Sequence, residues 1–349
     1  MTGGQYDRTT LLVLAGLLLG VAEPASGQWT VQSSGVSVEL RGLSVVTDRV
    51  AWASGQRGTV LRTVDGGDHW EIHAVPGAAA LDLRAIAARS AQVAHAISIA
   101  DSGRIFRTTD GGVTWTQQFM SLRKGSFLDA IQFWDDRHGI ALSDPVDGKY
   151  LVFATDNGGD TWAELPGDAM PGALAGEGAF AASGTCLVVG GTSDVWFVTG
   201  GGAVARVFHS GNRGRTWTAS NTPIRAGSAG AGIFSIAFAD AQHGVVVGGD
   251  YEKPAMGGRN AALTSDGGAT WTLVDSATAP HGYRSAVVYV AGSRGQEMVA
   301  VGPTGSDMSS DGGRTWRVVD QASYNSVLFA PGGGYAVGAK GRIGRWAQR

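Results

Sequence analysis

The amino-acid sequence predicts an all-β protein with the architecture of a seven-bladed β-propeller. Glycine is abundant, at 55 of 349 residues, and 43% of the residues are apolar. This composition favours many short strands joined by tight turns around a sizeable core. A nine-residue segment that ends in Trp recurs six times, and strand-like segments remain at both chain ends. Six repeats, and one blade shared by the two ends, make seven blades.

The repeated segment, called the box below, links the third and fourth strands of each predicted blade. Its Trp residues follow one another at spacings of 45, 47, 55, 54 and 45 residues, which suits one four-stranded blade per repeat. In the first blade, strands are predicted at 41–46, 49–54, 59–63 and 69–74. The boxes occupy 62–70, 107–115, 154–162, 209–217, 263–271 and 308–316.

The box has the composition of a structural turn. An Asp side chain can accept backbone N–H groups of its own turn, Gly supplies positive φ, and Trp packs against the neighbouring sheet. Two boxes carry Asn in the Asp position, and an amide cannot act as a carboxylate acid, base or strong metal ligand. We therefore interpret the position as structural. The pairs are Asp65 and Trp70, Asp110 and Trp115, Asn157 and Trp162, Asn212 and Trp217, Asp266 and Trp271, and Asp311 and Trp316.

The two chain ends are expected to complete the ring. Strand-like segments at 324–330, 334–339 and 341–346 follow the sixth blade without a box or a fourth strand. The segment 28–33 has the character of a fourth strand without a blade of its own. Pairing these segments gives a seventh blade and hides strand edges that otherwise promote aggregation.

The N-terminus is predicted to be a signal peptide, so that 28–349 form the single mature domain. Arg8 precedes the apolar run 11–22, and small residues at 25–27 suit cleavage. The apolar run is too short to span a bilayer comfortably. This pattern predicts export to the periplasm or the extracellular space; the alternative is a retained N-terminal core helix.

Composition also limits the ligands. The net charge of −3 argues against nucleic acid. The chain has neither a Gly-x-Gly-x-x-Gly segment that opens a helix after a strand nor a redox metal cluster, so we expect no cofactor and no metal site. The single cysteine, Cys186, is expected to be a buried, inert thiol.

A ligand site is expected on the face opposite the boxes, because loops rather than repeated turns vary there. Long stretches on that face are predicted at 144–149, 166–184 and 249–261. Aligned first strands give a column of residues that should ring the mouth of the central channel. Its three arginines could bind one carboxylate or phosphate together. Alternatively, each arginine pairs with an acid such as Asp129, Asp144 or Asp147. The column contains Arg41, Arg84, Asp129, Phe234, Arg284 and Asn325.

The boxes resemble the Asp boxes, or BNR repeats, of sialidases, xyloglucanases and the photosystem II stability/assembly factor family. Segments 49–70 and 334–346 are most similar to the last of these families. Segments 126–150, 176–185 and 231–251 resemble exported bacterial propellers that are often labelled oxidoreductases, a label that implies no demonstrated chemistry. The resemblance implies a propeller that binds a protein segment, or an anionic small molecule or glycan, and performs no chemistry.

A sialidase-like glycoside hydrolase is the alternative that the same resemblance implies. Sialidases hold a sugar carboxylate with three arginines and use a Tyr–Glu nucleophile pair with an acid–base Asp. Tyr283, Glu177 and Asp129 are the candidates for these roles. The Arg-Ile-Pro signature expected near the first blade is absent, and 39–44 read ELRGLS instead. Glu177 is expected on a loop flanked by glycines, which supports a nucleophile pair poorly.

Overall fold

The computed structural model describes residues 1–4, 29–99 and 102–347, and it confirms the seven-bladed β-propeller. The described residues form seven four-stranded sheets, each with its strands in antiparallel order. Most of the predicted signal peptide, 1–27, lies outside the described residues. Within the described part of the chain, no helix has the length and apolarity needed to cross a membrane.

Each sheet of the first half of the ring runs from an inner first strand to an outer fourth strand, as predicted from the boxes. The seventh blade takes its outer strand, β1 (Thr30–Gln32), from the start of the described domain. Blades one to three comprise β2 (Leu40–Val45), β3 (Ala51–Gly55), β4 (Thr59–Thr63), β5 (Glu71–Ala74), β6 (Asp82–Ala88), β7 (Ala94–Ile99), β8 (Arg104–Thr108), β9 (Thr116–Met120), β10 (Leu128–Phe133), β11 (Gly139–Val146), β12 (Lys149–Thr155) and β13 (Ala163–Glu164).

The second half of the ring repeats the same plan. Two single turns of 3-10 helix, Gly167–Ala169 and Ala339–Gly341, interrupt it. Blades four to seven comprise β14 (Leu187–Gly190), β15 (Asp194–Val198), β16 (Arg206–Ser210), β17 (Thr218–Asn221), β18 (Ala231–Phe238), β19 (Gly244–Asp250), β20 (Ala261–Thr264), β21 (Thr272–Leu273), β22 (Ala286–Tyr289), β23 (Met298–Gly302), β24 (Gly305–Ser309), β25 (Arg317–Asp320), β26 (Ser326–Ala330), β27 (Gly333–Val337) and β28 (Ile343–Ala347).

The split seventh blade closes the ring as predicted. β1 pairs with β28 in antiparallel register, with Thr30 opposite Arg345. Trp29, just before β1, is buried against Tyr324 and Trp346. Its indole Nε1 donates to the Ser306 hydroxyl at 3.1 Å, in the sixth blade. The N-terminal strand is therefore held by packing as well as by its ladder.

The box turns have the hydrogen bonds expected of them. Asp65 Oδ1 accepts the backbone N–H of His69 at 3.0 Å, and Asn157 Oδ1 accepts that of Thr161 at 3.1 Å. A hydroxyl two residues before the Asp completes the turn, because Thr63 donates to Asp65 and accepts the N–H of Gly67 at 2.8 Å. A Thr or Ser occupies this position in all six boxes. The role of this hydroxyl was not predicted from the sequence, although every box contains it.

Candidate functional site

The predicted column of mouth residues lies at a repeated irregularity of the first strands. The register between the first and second strands shifts at Arg41, Arg84, Asp129 and Phe234, in blades one, two, three and five. A β-bulge adds one residue to a strand and redirects its side chain. These four side chains therefore leave the regular alternation of their strands at the same level, at the mouth opposite the boxes.

An internal segment of the chain closes this mouth. Residues 178–185, called the plug below, lead into β14 and are buried apart from parts of Gly178 and Phe180. The plug is bound to its own blade by Gly178 N–H, which donates to Gly200 at 3.0 Å. It hydrogen-bonds to each of the other six blades through Arg41 with Ala182 (3.2 Å), Arg84 with Ala181 (3.5 Å), Asp144 with Ala179 (2.8 Å), Ser235 with Thr185 (2.7 Å), Ser285 with Ser183 (2.9 Å) and Ser326 with Ser183 (3.2 Å).

Arg41 and Arg84 connect the plug to the surface of the mouth. Each guanidinium donates to a backbone carbonyl of the plug and also pairs with an acid of its own strand region. Arg41 lies 2.6 Å from Glu39, and Arg84 lies 2.9 Å from Asp82. Their side chains keep 23% and 29% of their surface exposed. Both can therefore reach a further ligand from the solvent side.

Arg284, the third arginine of the column, does not share this surface. Its side chain is fully buried, and its Nε donates to Asp307 at 2.6 Å. A second contact runs to the Thr304 hydroxyl at 2.8 Å. Arg284 is therefore paired locally with an acid, which was the alternative to an anion site made by three arginines. The acids that pair with the three arginines are not Asp129, Asp144 and Asp147, which the sequence suggested. Arg41 pairs with Glu39, Arg84 with Asp82 and Arg284 with Asp307.

Asp129 and Asp144 lie beneath the plug instead. Asp129 is fully buried, and neither of its carboxyl oxygens has a hydrogen-bond partner among the described residues. Burial and the neighbouring Asp144 raise the pKa of Asp129 well above its ordinary value. Burial also raises the pKa of Asp144 to about 6, while its bond to the Ala179 N–H acts in the opposite direction. Burial therefore shifts both carboxyls toward the protonated form relative to an exposed Asp, and more strongly for Asp129 than for Asp144.

Two more mouth positions are accounted for by local structure. The stretch 144–149, expected to be a long loop, is mostly a hairpin, because β11 and β12 continue through it to a tight turn. Asp147 lies in that exposed turn with φ of 52°. Asn325, in the seventh blade, donates to the Leu40 carbonyl at 2.9 Å and so joins blades seven and one.

The three residues considered for a hydrolase lie in different environments. The Glu177 side chain is fully buried and paired with Arg206, and it accepts the Thr199 hydroxyl at 2.6 Å. Glu177 is therefore held firmly, contrary to the weak support expected of its loop. The Tyr283 ring packs edge-on against Phe234, with ring centroids 4.6 Å apart. With Asp129 enclosed beneath the plug, the described residues do not present these groups together in an open cleft.

Other reactive groups are enclosed or dispersed. Cys186 follows the plug directly and is buried, as expected from its strand-like segment. Burial raises the pKa of its thiol well above the ordinary value, which disfavours the reactive thiolate. Among the described residues, no three His, Cys, Asp or Glu side chains are grouped to hold a metal ion.

The plug was not predicted from the sequence. The length of 166–184 marked the stretch as unusual, but no local pattern shows that Ala182 meets Arg41 from a distance of 141 residues along the chain. The hydroxyls of Ser183 and Ser235 were also missed, since single serines carry no distinctive spacing. Such contacts follow from ring closure and not from local propensity.

Comparisons with known proteins identify solved structures that share the fold. No protein-family model and no curated protein matches the chain. The structure of YCF48 bound to D1 peptide is similar, with 16% identity, a TM-score of 0.66, and coverage of 94% of this chain and 100% of that one. YCF48 from Cyanidioschyzon merolae shows 19% identity, a TM-score of 0.64, and coverage of 91% and 98%.

A glycoside hydrolase shares the fold over part of its length. The GH74 enzyme of Niastella koreensis is 13% identical, with a TM-score of 0.60. The alignment covers 86% of this chain but 51% of the enzyme, so the chain spans about half of it. At such identities, similarity establishes a common fold and leaves function to be argued from the site.

Proposed function

We propose that this protein is a binding propeller that recognises a segment of another protein at the plugged mouth and performs no chemistry. The observation that carries the proposal is the plug. At this face, arginines of two blades hold an irregular peptide segment by its backbone carbonyls, while parts of both side chains stay exposed. A YCF48 structure of the same fold contains a bound peptide, which supports this choice over catalysis.

An acidic group in the bound segment suits the two arginines. Each arginine has one near acid, and guanidinium groups have five N–H donors with which to bind further oxygens. A partly exposed ion pair stabilises a fold only weakly, so Arg41 and Arg84 can exchange or share their acids at little cost. We further propose that the protein acts outside the cytoplasm, after removal of 1–27.

A random linear peptide library displayed on phage is the first test. Peptides selected on the full mature chain should bind the double variant Arg41→Ala, Arg84→Ala at least about tenfold more weakly, since charge-assisted contacts are lost. Arg215→Ala is the matched control, because Arg215 is exposed on the box face. Titration by fluorescence anisotropy, with a thermal melt of each variant, gives the comparison.

Three outcomes contradict the proposal. The first is equal peptide binding by the wild type and the double arginine variant. The second is turnover of fluorogenic sialosides or glucosides by the purified protein, which favours the hydrolase. The third is an equal loss of affinity in the Arg215 variant, which indicates that the peptides bind to a different face.

A further inference from the structure

We infer that the aromatic side chains beside the plug form an anchor site for a protein segment in which a large apolar side chain neighbours an acidic one. This inference rests on the proposed function and names the chemistry of the partner at the same mouth. It adds an aromatic sector to the arginine sector described above.

The aromatic sector joins four elements of the mouth. Phe180 of the plug stacks on Phe234 of the β18 bulge, with centroids 4.0 Å apart and the rings 6° from parallel. The ring of Tyr251, just after β19, lies edge-on to both of these rings, with its centroid 6.4 Å from that of Phe180 and 6.1 Å from that of Phe234. Phe234, Tyr283 and Ala182, with Phe180 packed on them, form a hydrophobic cluster separate from the cores between blades. We call Phe180, Phe234, Tyr251 and Tyr283 the mouth cluster.

The outer side of the mouth cluster is open to solvent. Tyr251 is 49% exposed, and Met256, on the same loop, is 38% exposed. Exposed apolar groups that lie beside one another on a folded surface commonly mark interaction sites. The open side of the cluster therefore offers contact area for one large apolar side chain of a partner.

The loop that carries Tyr251 is ordered by its own hydrogen bonds. The Tyr251 N–H donates to Gly230 at 3.1 Å, and Lys253 and Met256 continue the turn by donating to Asp250 and Lys253. The ring is also fixed by its edge contacts with Phe180 and Phe234. A partner that packs on Tyr251 thus orders little of this protein, and a prearranged surface binds more tightly for that reason.

Positive charge borders the aromatic sector. Burial raises the pKa of the Tyr283 phenol, and the nearby charge of Arg41 acts in the opposite direction. Arg41 also contacts Ala182, which belongs to the same hydrophobic cluster as Tyr283. Tyr and Arg, together with Trp, are enriched among the residues that contribute most to binding at interfaces. The juxtaposition fits a partner whose apolar side chain covers Tyr251 while its carboxylate approaches Arg41.

The selected phage peptides provide the probe. We expect the enriched sequences to share an aromatic or large aliphatic residue beside Asp or Glu. Tyr251→Ala should weaken synthetic copies of them by about tenfold or more, whereas Tyr251→Phe should retain binding. Val113→Ala, which shortens an apolar side chain 77% exposed on the box face, is the matched control and should bind normally. Phe180→Leu keeps apolar bulk but removes the stacked ring, and should give an intermediate loss.

The outcomes separate this inference from the proposed function. Binding that depends on Arg41 and Arg84 but is unchanged in Tyr251→Ala overturns the inference and leaves the proposed function standing. Enriched peptides without the apolar–acidic pair overturn it as well. If no peptide is enriched on the wild type relative to the double arginine variant, both are overturned. A thermal melt of Tyr251→Ala that matches the wild type shows that lost affinity reflects contact and not unfolding.

Discussion

The surroundings of each arginine at the mouth decide what that residue does. Arg41 and Arg84 keep contact with solvent, while Arg284 is enclosed with Asp307, which is itself fully buried. A buried ion pair gains little over apolar packing, but removal of one partner leaves the other charge uncompensated. Residues of one aligned column thus divide into binding and structural groups.

Arg284→Ala should therefore lower the free energy of unfolding by roughly 3–5 kcal/mol. Arg84→Ala, which breaks a partly exposed pair, should lower it by less than about 1 kcal/mol. Urea unfolding of both variants measures the difference. Equal losses of unfolding free energy in the two variants contradict the division into binding and structural arginines. The division is also contradicted if Arg284→Ala folds normally and is the variant that loses peptide affinity, while Arg84→Ala keeps it.

The buried carboxyls beneath the plug should give an unusual pH dependence. The pKa values of Asp129 and Asp144 are raised in the native state, so the native protein keeps protons that the unfolded chain loses above about pH 4. The stability that these two groups contribute is fully present below about pH 4 and declines as pH rises. The contribution of Asp144 is lost as pH rises to its native pKa of about 6, and that of Asp129 is lost at higher pH. The free energy of unfolding should therefore fall as pH rises above about 4, and Asp129→Asn should flatten this decline.

The box carboxylates act at lower pH with the opposite sign. Hydrogen bonds from Thr114 and Thr270 lower the pKa values of Asp110 and Asp266 to about 2. Stability from these groups is present above about pH 4 and is lost as pH falls toward their native pKa. The pH–stability curve should therefore have its maximum on the acidic side of neutrality. A maximum above about pH 7 contradicts the assignment of raised pKa values to Asp129 and Asp144.

At the scale of the element, each box forms a tight turn and also supplies a Trp that packs at the interface between two blades. Trp70 ends the first box, packs edge-on against Tyr335 with centroids 5.8 Å apart, and donates to Gln32 at 3.1 Å. Gly67 has φ of +84°, and a Cβ there would lie 2.1 Å from the Gln32 side chain. The tight turn thus brings the first blade against the seventh.

Trp70→Ala should lower the free energy of unfolding by roughly 3–5 kcal/mol, as large core truncations do, and Trp271→Ala should lower it by less, because Trp271 is only partly buried. Asp65→Asn should be mild, because Asn157 and Asn212 accept the same backbone N–H groups in their own turns. Melting temperatures of the three variants decide the matter. Unchanged melting in both Trp variants refutes the packing role, and severe loss in Asp65→Asn shows that the charge matters.

Local patterns predicted the elements well and the site only in part. The box spacing predicted six blades, because each box marks the turn between a third and a fourth strand, and the strand-like segments left at the two chain ends predicted the seventh. The column containing Arg41 and Arg84 was found by aligning the first strands in the sequence, and in blades one, two, three and five a bulge lies at that position. The sequence did not predict that Arg284 is buried in an ion pair, because its partner Asp307 lies on a different strand, β24. The anion site and local pairing also involved the same arginines, so the residue types could not separate the two. The plug could not be predicted from local patterns, because its hydrogen-bond partners lie on blades that are far apart in the sequence.

At the scale of the whole molecule, the plug and the split blade close the ring in two ways. The plug joins all the other blades through hydrogen bonds at the axis, while β1 joins the first and last parts of the described domain at the rim. Axis contacts resist radial separation of blades, and the β1–β28 ladder removes an open edge.

Deletion of residues 28–34 should cause aggregation or loss of cooperative unfolding. The change removes β1 and Trp29 and exposes the edge of β28. Val31→Thr is the matched control, because Val31 is 69% exposed and its replacement keeps the ladder. Size-exclusion chromatography and calorimetry report the result. A monomeric deletion variant with a normal melt shows that the ring does not depend on this strand.

The split blade also sets an order of events during synthesis. Trp29 leaves the ribosome early, yet its hydrogen-bond partner Ser306 follows 277 residues later, and β28 later still. Loop closure over such a span is slow relative to pairing of adjacent strands. Blades one to six can form as they emerge, but the earliest strand waits unpaired until translation ends. The nascent chain thus carries an open strand for most of its synthesis, and a chaperone that shields this strand should raise the yield of closed rings.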